Sequence, residues 1–291
     1  MQKWIIFCAA AGCLFCSCTQ TAPAPPPPEP TWSVCTSVED YPKLFDAGYD
    51  YIEPTVGGLL MPSADESEFT VQREFVRTLD ARVISCTIFL PRTLKAVGHE
   101  THHDEIMEWA ETTFRRAQEL EIPYIVFGSG RSRMREDDFS YAQARTQFVE
   151  LCRKLGPLAE QYHVTVLIEP LNRGETNFIN SLAEGADVVT ETNHPNVQLL
   201  CDIFHMLREN EPAEEIVKYG QYIKHCHIAE KENRTAPGME RFDFTAYFDA
   251  LKEIGYAGCI SVEGTWGEDM DAQLAPTLQY MKEQYTGQTA R

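Results

Sequence analysis

The chain alternates two kinds of apolar pattern. Short runs rich in aliphatic and β-branched residues recur at WSVCT (32–36), YDYIEP (49–54), ARVISCTIFL (81–90) and PYIVFGSG (123–130). They continue at VTVLIEP (164–170), VQLLCDIFH (197–205), YIKHCHIAE (222–230) and GCISVEG (258–264). Between several of them, apolar residues fall at helical spacing. From Asp104 to Glu121 these are Ile106, Trp109, Ala110, Phe114, Ala117 and Leu120, and Tyr141 to Tyr162 and Phe244 to Ile254 repeat the pattern. The two periods predict buried strands and amphipathic helices in turn. Eight strands alternating with helices predict an α/β fold with an all-parallel sheet, and the number eight favours closure into a single (β/α)8 TIM barrel. The rival, an open doubly wound sheet, would carry a Gly-rich phosphate turn after its first strand. Here GSGRSR follows the fourth run instead.

The barrel is expected over residues 32–287, and what precedes it reads differently. MQKWIIFCAAAGCLFCSC (1–18) has one basic residue, Lys3, then an apolar run too short to span a bilayer, ending in small residues and cysteines. That is the pattern of a secretory signal peptide, and its cysteines suggest the lipoprotein type. Cys18, after Phe15, Cys16 and Ser17, is taken as the lipidated residue; Cys13, after Ala10, Ala11 and Gly12, competes, and an unlipidated signal is the plainer alternative. A Pro-rich linker (19–31) then reads as an extended tether. Together these segments place the barrel in the envelope of a bacterium, lipid-anchored, in the periplasm or at the cell surface.

Charge narrows the partners. The 291 residues include 44 acids and 25 basic side chains, for a formal net charge of −19. A polyanion is repelled on average, which argues against nucleic acid. Of the ten cysteines, four lie in the signal; Cys35, Cys86, Cys152, Cys201, Cys226 and Cys259 show no metal-type spacing and read as core thiols.

In a parallel barrel all strand carboxyl ends open on one face, where catalytic groups collect. The second run ends in Glu53, the fifth in Glu169, the sixth in Asp202 with His205, the seventh in His225 and His227, and the eighth in Glu263. One unpaired buried carboxylate is costly, and several together raise one another's pKa. A divalent cation resolves the conflict. Glu169, Asp202, His227 and Glu263, on four successive strands, form an O3N donor set suited to Mn²⁺, Mg²⁺ or Co²⁺ more than to structural zinc. Each has a plainer reading: a strand-end acid is often a helix cap or ion-pair partner, with Arg173 available to Glu169, and a lone strand histidine is often a satisfied core residue. The HETHHDE segment (His99, His102, His103) looks metal-like but reads as a solvated helix start.

EPLNRGETNFIN, CDIFHM, HCHIAEKENRTAPG and SVEG resemble the signature segments of the xylose-isomerase-like TIM barrel superfamily, closest to the D-tagatose/D-psicose 3-epimerase and hydroxypyruvate isomerase group. The resemblance implies one divalent metal ion, Mn²⁺ first, on the same quartet. It also implies substrate contacts at Glu175, His205 and Arg234, and Glu169 and Glu263 as the catalytic pair. The chemistry implied is proton abstraction beside the carbonyl of a ketose or keto-sugar, the metal acting as a Lewis acid and template. The stretch from His227 to Arg234 is one residue longer than in the epimerases, and the third and fourth strand exits, IFLPRT and GSGRSRMRE, do not match theirs. Arg131, Arg133 and Arg135 in the latter suggest an anionic sugar.

Three other functions compete with this one. A sugar or inosose dehydratase or lyase of the superfamily would share the ligands. A three-zinc AP endonuclease needs histidines that IFLP, GSG and EKENR do not supply. A sugar-binding lipoprotein on a decayed barrel would have no reason to keep both candidate bases. The partners expected are a small sugar, no nucleic acid, and a membrane reached only through the lipid anchor, with a homo-oligomer left open.

Overall fold

A computed structural model describes Met1 and residues 29–287. The signal peptide, Cys13, Cys18 and most of the Pro-rich linker lie outside the described residues. Eight parallel strands are present: β1 (Thr31–Cys35), β2 (Tyr51–Glu53), β3 (Ser85–Cys86), β4 (Tyr124–Phe127), β5 (Thr165–Ile168), β6 (Val197–Asp202), β7 (Ile223–Ile228) and β8 (Cys259–Val262). They pair in the order β2-β1-β8-β7-β6-β5-β4-β3. Parallel bridges Ile52–Val83 and Thr55–Thr87 join β2 to the segment of β3 and close the ring. The helices are α1 (Tyr41–Asp46), α2 (Val56–Leu59), α3 (Glu66–Thr78), α4 (His103–Glu119), α5 (Tyr141–Gln161), α6 (Leu182–Thr192), α7 (Ile203–Glu209), α8 (Glu214–Tyr219), α9 (Thr245–Glu253) and α10 (Met270–Thr286). The α/β barrel is therefore as expected, and each apolar run contains its strand except the first, where β1 begins one residue earlier at Thr31. The third run keeps only two residues of regular strand, because Ile88 turns the chain through a left-handed conformation (φ 54°).

Alternation along the strands sorts the side chains into two cores. Val34, Ile52, Ile125, Phe127, Val166, Ile168, Leu199, Cys201, Cys226, Ile228, Ile260 and Val262 join one apolar cluster with the helices. Their neighbours on the opposite face fill the barrel interior, which is divided. Val126, Leu167 and Leu200 form a small separate apolar cluster packed against Tyr124. The remainder is polar and buried: Ser33, Glu53, Ser85, His225, His227 and Ser261. Ser33 Oγ bonds Ser261 Oγ at 2.5 Å, and His225 stacks on Tyr124. The described cysteines are free thiols, buried except for the half-exposed Cys35.

The chain after α7 is fastened to the start of α6 by Glu211, whose carboxylate accepts from the Leu182 N–H at 2.9 Å. Burial pushes the Glu211 carboxyl up to about 7; the Leu182 N–H opposes this, and Glu215 and Glu184 add repulsion. An acid whose pKa is raised on folding stabilises the fold fully below its unfolded value and loses that contribution as pH rises through the folded one. Glu211→Gln is therefore expected to raise the melting temperature at pH 8 by roughly 2–6 °C, on the order of 1–2 kcal/mol. The gain should shrink toward zero at pH 5, which calorimetry across that range would check.

Candidate metal centre

The strand ends deliver a tight polar cluster to the carboxyl-end face. Glu169, Asp202, His227 and Glu263 each offer a ligand atom, and these atoms lie within 4.8 Å of one another. From His227 Nδ1 the distances are 3.1 Å to Glu169 Oε1, 3.5 Å to Glu263 Oε2 and 4.0 Å to Asp202 Oδ2. Asp202 turns one oxygen to a helix and the other to the cluster. Its Oδ1 caps α7 by accepting from the His205 N–H, while its buried Oδ2 has no hydrogen-bond partner.

The other nitrogen of His227 decides what the cluster can hold. Nε2 donates to Glu53 Oε1 at 3.0 Å, and the other oxygen of Glu53 accepts from His225 Nε2 at 2.9 Å. Burial alone would raise the Glu53 carboxyl, but the charges and hydrogen bonds of the two imidazoles hold it well below the usual range. With Nε2–H committed to that carboxylate, the His227 Nδ1 lone pair faces three carboxylates. Only a cation between them stabilises such an arrangement: a proton or a metal ion. Burial disfavours a charged His227, yet the carboxylates, Glu53 foremost, raise its pKa well above the ordinary value. Glu169 and Asp202 are both pushed up by burial and by their carboxylate neighbours. Glu263 goes the other way: burial would raise it, but His227 and Arg234 hold it at about 2. Three hard oxygen donors, one imidazole oriented by a carboxylate behind it, and an unpartnered Asp202 oxygen fit a single divalent cation.

The three residues expected to meet substrate border the same cleft. His205 Nδ1 accepts from the Asn172 backbone N–H at 3.1 Å, which puts the proton of the neutral ring on Nε2. That nitrogen is buried and makes no hydrogen bond, though it stands 3.5 Å from Asp202 Oδ2, and burial lowers the pKa of the ring, so it is a neutral donor. Arg234 bonds Glu175 at 3.0 Å and the Glu263 backbone carbonyl at 3.1 Å, pairs with the Glu263 carboxylate, and lies over the Phe204 ring. A cavity of about 290 Å³ is lined by Glu169, Glu175, His205, Arg234 and Glu263 together with Arg92 and Arg131. A second, of about 340 Å³, extends past Cys35, Glu53 and Thr55, and the two share Thr87, Ile88 and Glu263. Ile88 is 54% exposed on this shared rim. A β-branched residue at positive φ is strained, and such strain collects at functional sites.

A sequence model of the family described as "xylose isomerase-like TIM barrel" matches residues 42–284. The chain belongs to that family. An L-ribulose 3-epimerase of Methylomonas sp. (strain DH-1) is 34% identical over 135 residues, 46% of this chain and 47% of the relative. A D-psicose 3-epimerase of Ruminiclostridium cellulolyticum is 37% identical over 116 residues, 40% of this chain and 39% of the relative. The chain thus spans less than half the length of these two curated relatives. A solved D-psicose 3-epimerase from Clostridium cellulolyticum H10 with D-tagatose superposes with a TM-score of 0.74 over 88% of this chain and 99% of that one, at 19% identity, a likeness of fold.

Some side chains fall where the strand-exit reading of this xylose isomerase-like barrel did not put them. Of the three arginines in GSGRSRMR, only Arg131 lines the cavity. Arg133 is fully buried, its Nε donating to the Gly128 carbonyl and its Nη2 to the Glu169 carbonyl. Arg135 is held by Asn177 and the Phe139 carbonyl. Arg173 pairs with Glu209 and leaves Glu169 free. The HETHHDE histidines form no metal cluster among the described residues. His99 meets Asp138, His102 accepts from the Lys95 N–H, and His103 donates to the Ala96 carbonyl, so they fasten a loop. The missed functional partner is Glu53, visible in sequence as a strand-end acid but without a sign of what it faces.

Glu53→Gln is expected to weaken Mn²⁺ binding by roughly 10–100-fold, because the amide no longer orients His227 as an ionised carboxylate does. Competition with a fluorescent chelator measures this, with far-UV circular dichroism as the fold control. A Cβ on Gly128 would overlap Glu169 Oε2. Gly128→Ala should therefore displace that ligand and lower Mn²⁺ affinity by about tenfold or more, read by the same titration.

Proposed function

We propose that the protein is a divalent-metal-dependent sugar epimerase or isomerase acting on a ketose or keto-sugar by moving a proton beside the carbonyl. The observation that carries this reading is the convergence of Glu169 and Glu263 on one buried imidazole, with a neutral N–H donor and a guanidinium bordering the same cleft. Family membership and the names of the two curated relatives support it. Glu169, Asp202, His227 and Glu263 would hold the metal, which when bound supplies Lewis acidity next to the scissile C–H.

This chain's own residues would do the rest. Glu169 from β5 and Glu263 from β8 reach the cluster from different strands, so one carboxylate can accept a proton from one face of the sugar while the other returns one to the opposite face. Return to the same carbon epimerises it; return to its neighbour isomerises the sugar. His205 Nε2–H and the Arg234 guanidinium would stabilise negative charge developing on oxygen. Glu175, held by Arg234 and by the Asn172 side-chain amide (3.1 Å), would meet a sugar hydroxyl. The reading extends to location: the sequence of residues 1–31 supports a lipid-anchored enzyme of a bacterial envelope, acylated at Cys18. No helix among the described residues is long and apolar enough to cross a membrane.

The test is proton exchange. Incubating the Mn²⁺-loaded protein with a panel of ketoses in D₂O should give deuterium beside the carbonyl and an epimeric or isomeric product, both read by NMR. Glu169→Gln and Glu263→Gln should each lower the exchange rate by at least about 10²–10⁴-fold, the usual weight of a general acid–base group. Full activity in both variants would eliminate the two-carboxylate scheme, and a dehydrated product would replace epimerisation with elimination.

A further inference from the structure

We propose that the substrate carries an anionic group, a carboxylate or a phosphate, on the end remote from the reacting carbons, and that Arg92 and Arg131 bind it. This rests on the epimerase reading for what happens at the metal end, but concerns a different part of the cleft. Arg92 follows β3 and Arg131 follows β4, while the quartet comes from β5 to β8. In the closed ring β3 and β4 stand across the mouth from β7 and β8. Both arginines nevertheless line the one cavity that also contains Glu169, His205, Arg234 and Glu263. A ligand seated at the quartet and extending over the mouth therefore ends at two guanidinium groups.

Neither has a carboxylate partner among the described residues, although Arg131 Nη1 reaches Met134 Sδ at 4.0 Å. Acids outnumber basic side chains by 44 to 25. Arg73, Arg77, Arg115, Arg116, Arg145, Arg173 and Arg234 each pair with a carboxylate. Arg82 and Arg153 bond a tyrosine hydroxyl and a backbone carbonyl, so what sets Arg92 and Arg131 apart is their place on the cleft wall. Arg92 and Arg131 are exposed, and among the described residues no carboxylate lies within ion-pair distance of either. Arg131 is further placed by its own backbone, whose carbonyl accepts from Lys95 Nζ at 2.9 Å and brings a third cation to that rim. Two guanidinium forks kept free of internal acids on the wall of a substrate cleft match the planar oxygens of a carboxylate or phosphate. The other two arginines of the same loop are spent on backbone carbonyls, which leaves Arg131 as the one turned to the cleft.

Calorimetric titration of the Mn²⁺-loaded protein tests this with three ligands of equal carbon number: a neutral ketose, the corresponding keto-uronate and the ketose phosphate. At least one anion should bind tighter than the neutral sugar by about tenfold or more at low salt, and which of the two does so identifies the group. That ratio should fall to near one in Arg92→Gln/Arg131→Gln and be kept only in part in Arg92→Lys/Arg131→Lys, which retains the charge but loses the fork. Equal affinities, absence of binding by all three ligands, or a preference that survives the glutamine variant would overturn the proposal. Deuterium exchange in the same samples separates the two readings. Anion preference without exchange removes the epimerase; exchange without anion preference removes the anion site.

Discussion

Three carboxylates gathered around the outer nitrogen of one buried histidine is the constraint around which this barrel is arranged. Like charges at such separations repel strongly wherever water is excluded. The structure does not relieve that repulsion by turning the acids outward. It fixes the histidine instead, through Glu53, and Glu53 through His225, so that the column His225–Glu53–His227 runs up the barrel interior and presents the Nδ1 of His227 at the mouth. The rest of the polar interior is a consequence. Ser33, Ser85 and Ser261 occupy positions where an apolar barrel would carry branched aliphatics, and the aliphatic filling survives as Val126, Leu167 and Leu200. The interior thus gives up part of its hydrophobic stabilisation to hold a charged site in register, which the large outer cluster between strands and helices can sustain.

Much of this was legible in sequence because two periodicities report it. Alternation along a strand and helical spacing along a helix are local, and both survive translation into the fold. The quartet was legible for a related reason: a parallel barrel sends every strand end to one face, so position in sequence stands in for position in space. Glu53 shows where that substitution fails. It sits at a strand end like the others, yet its role is set by His225 and His227, more than 170 residues away across the ring. No local pattern encodes which strand-end acids join the quartet and which stand behind His227. The third run fails for another reason. It is apolar throughout and reads as a long strand, but the left-handed turn at Ile88 ends it early, and strain of that kind is invisible in a hydropathy pattern.

The loop after β4 makes the same point about charge. Arg131, Arg133 and Arg135 alternate in sequence, and in a strand they would share one face. The segment is irregular, so each is placed by whichever backbone carbonyls it meets. Arg133 meets those of Gly128 and Glu169 and becomes a buried brace behind the Glu169 carboxylate, while burial pulls its pKa down to about 10 against the pull of the nearby Glu169 charge.

A braced ligand and an open rim are then two outcomes of one short stretch, and they are coupled. Arg133 can hold the Glu169 main chain only if the loop folds back under the barrel mouth. Folding back in this way puts Arg131, two residues earlier, on the cleft side. Gly128 belongs to the same device, since the close approach of the Glu169 carboxylate leaves no room for a side chain there. The geometry that aims Glu169 at the quartet therefore also places a positive charge on the wall of the cleft, in a chain otherwise dominated by acids.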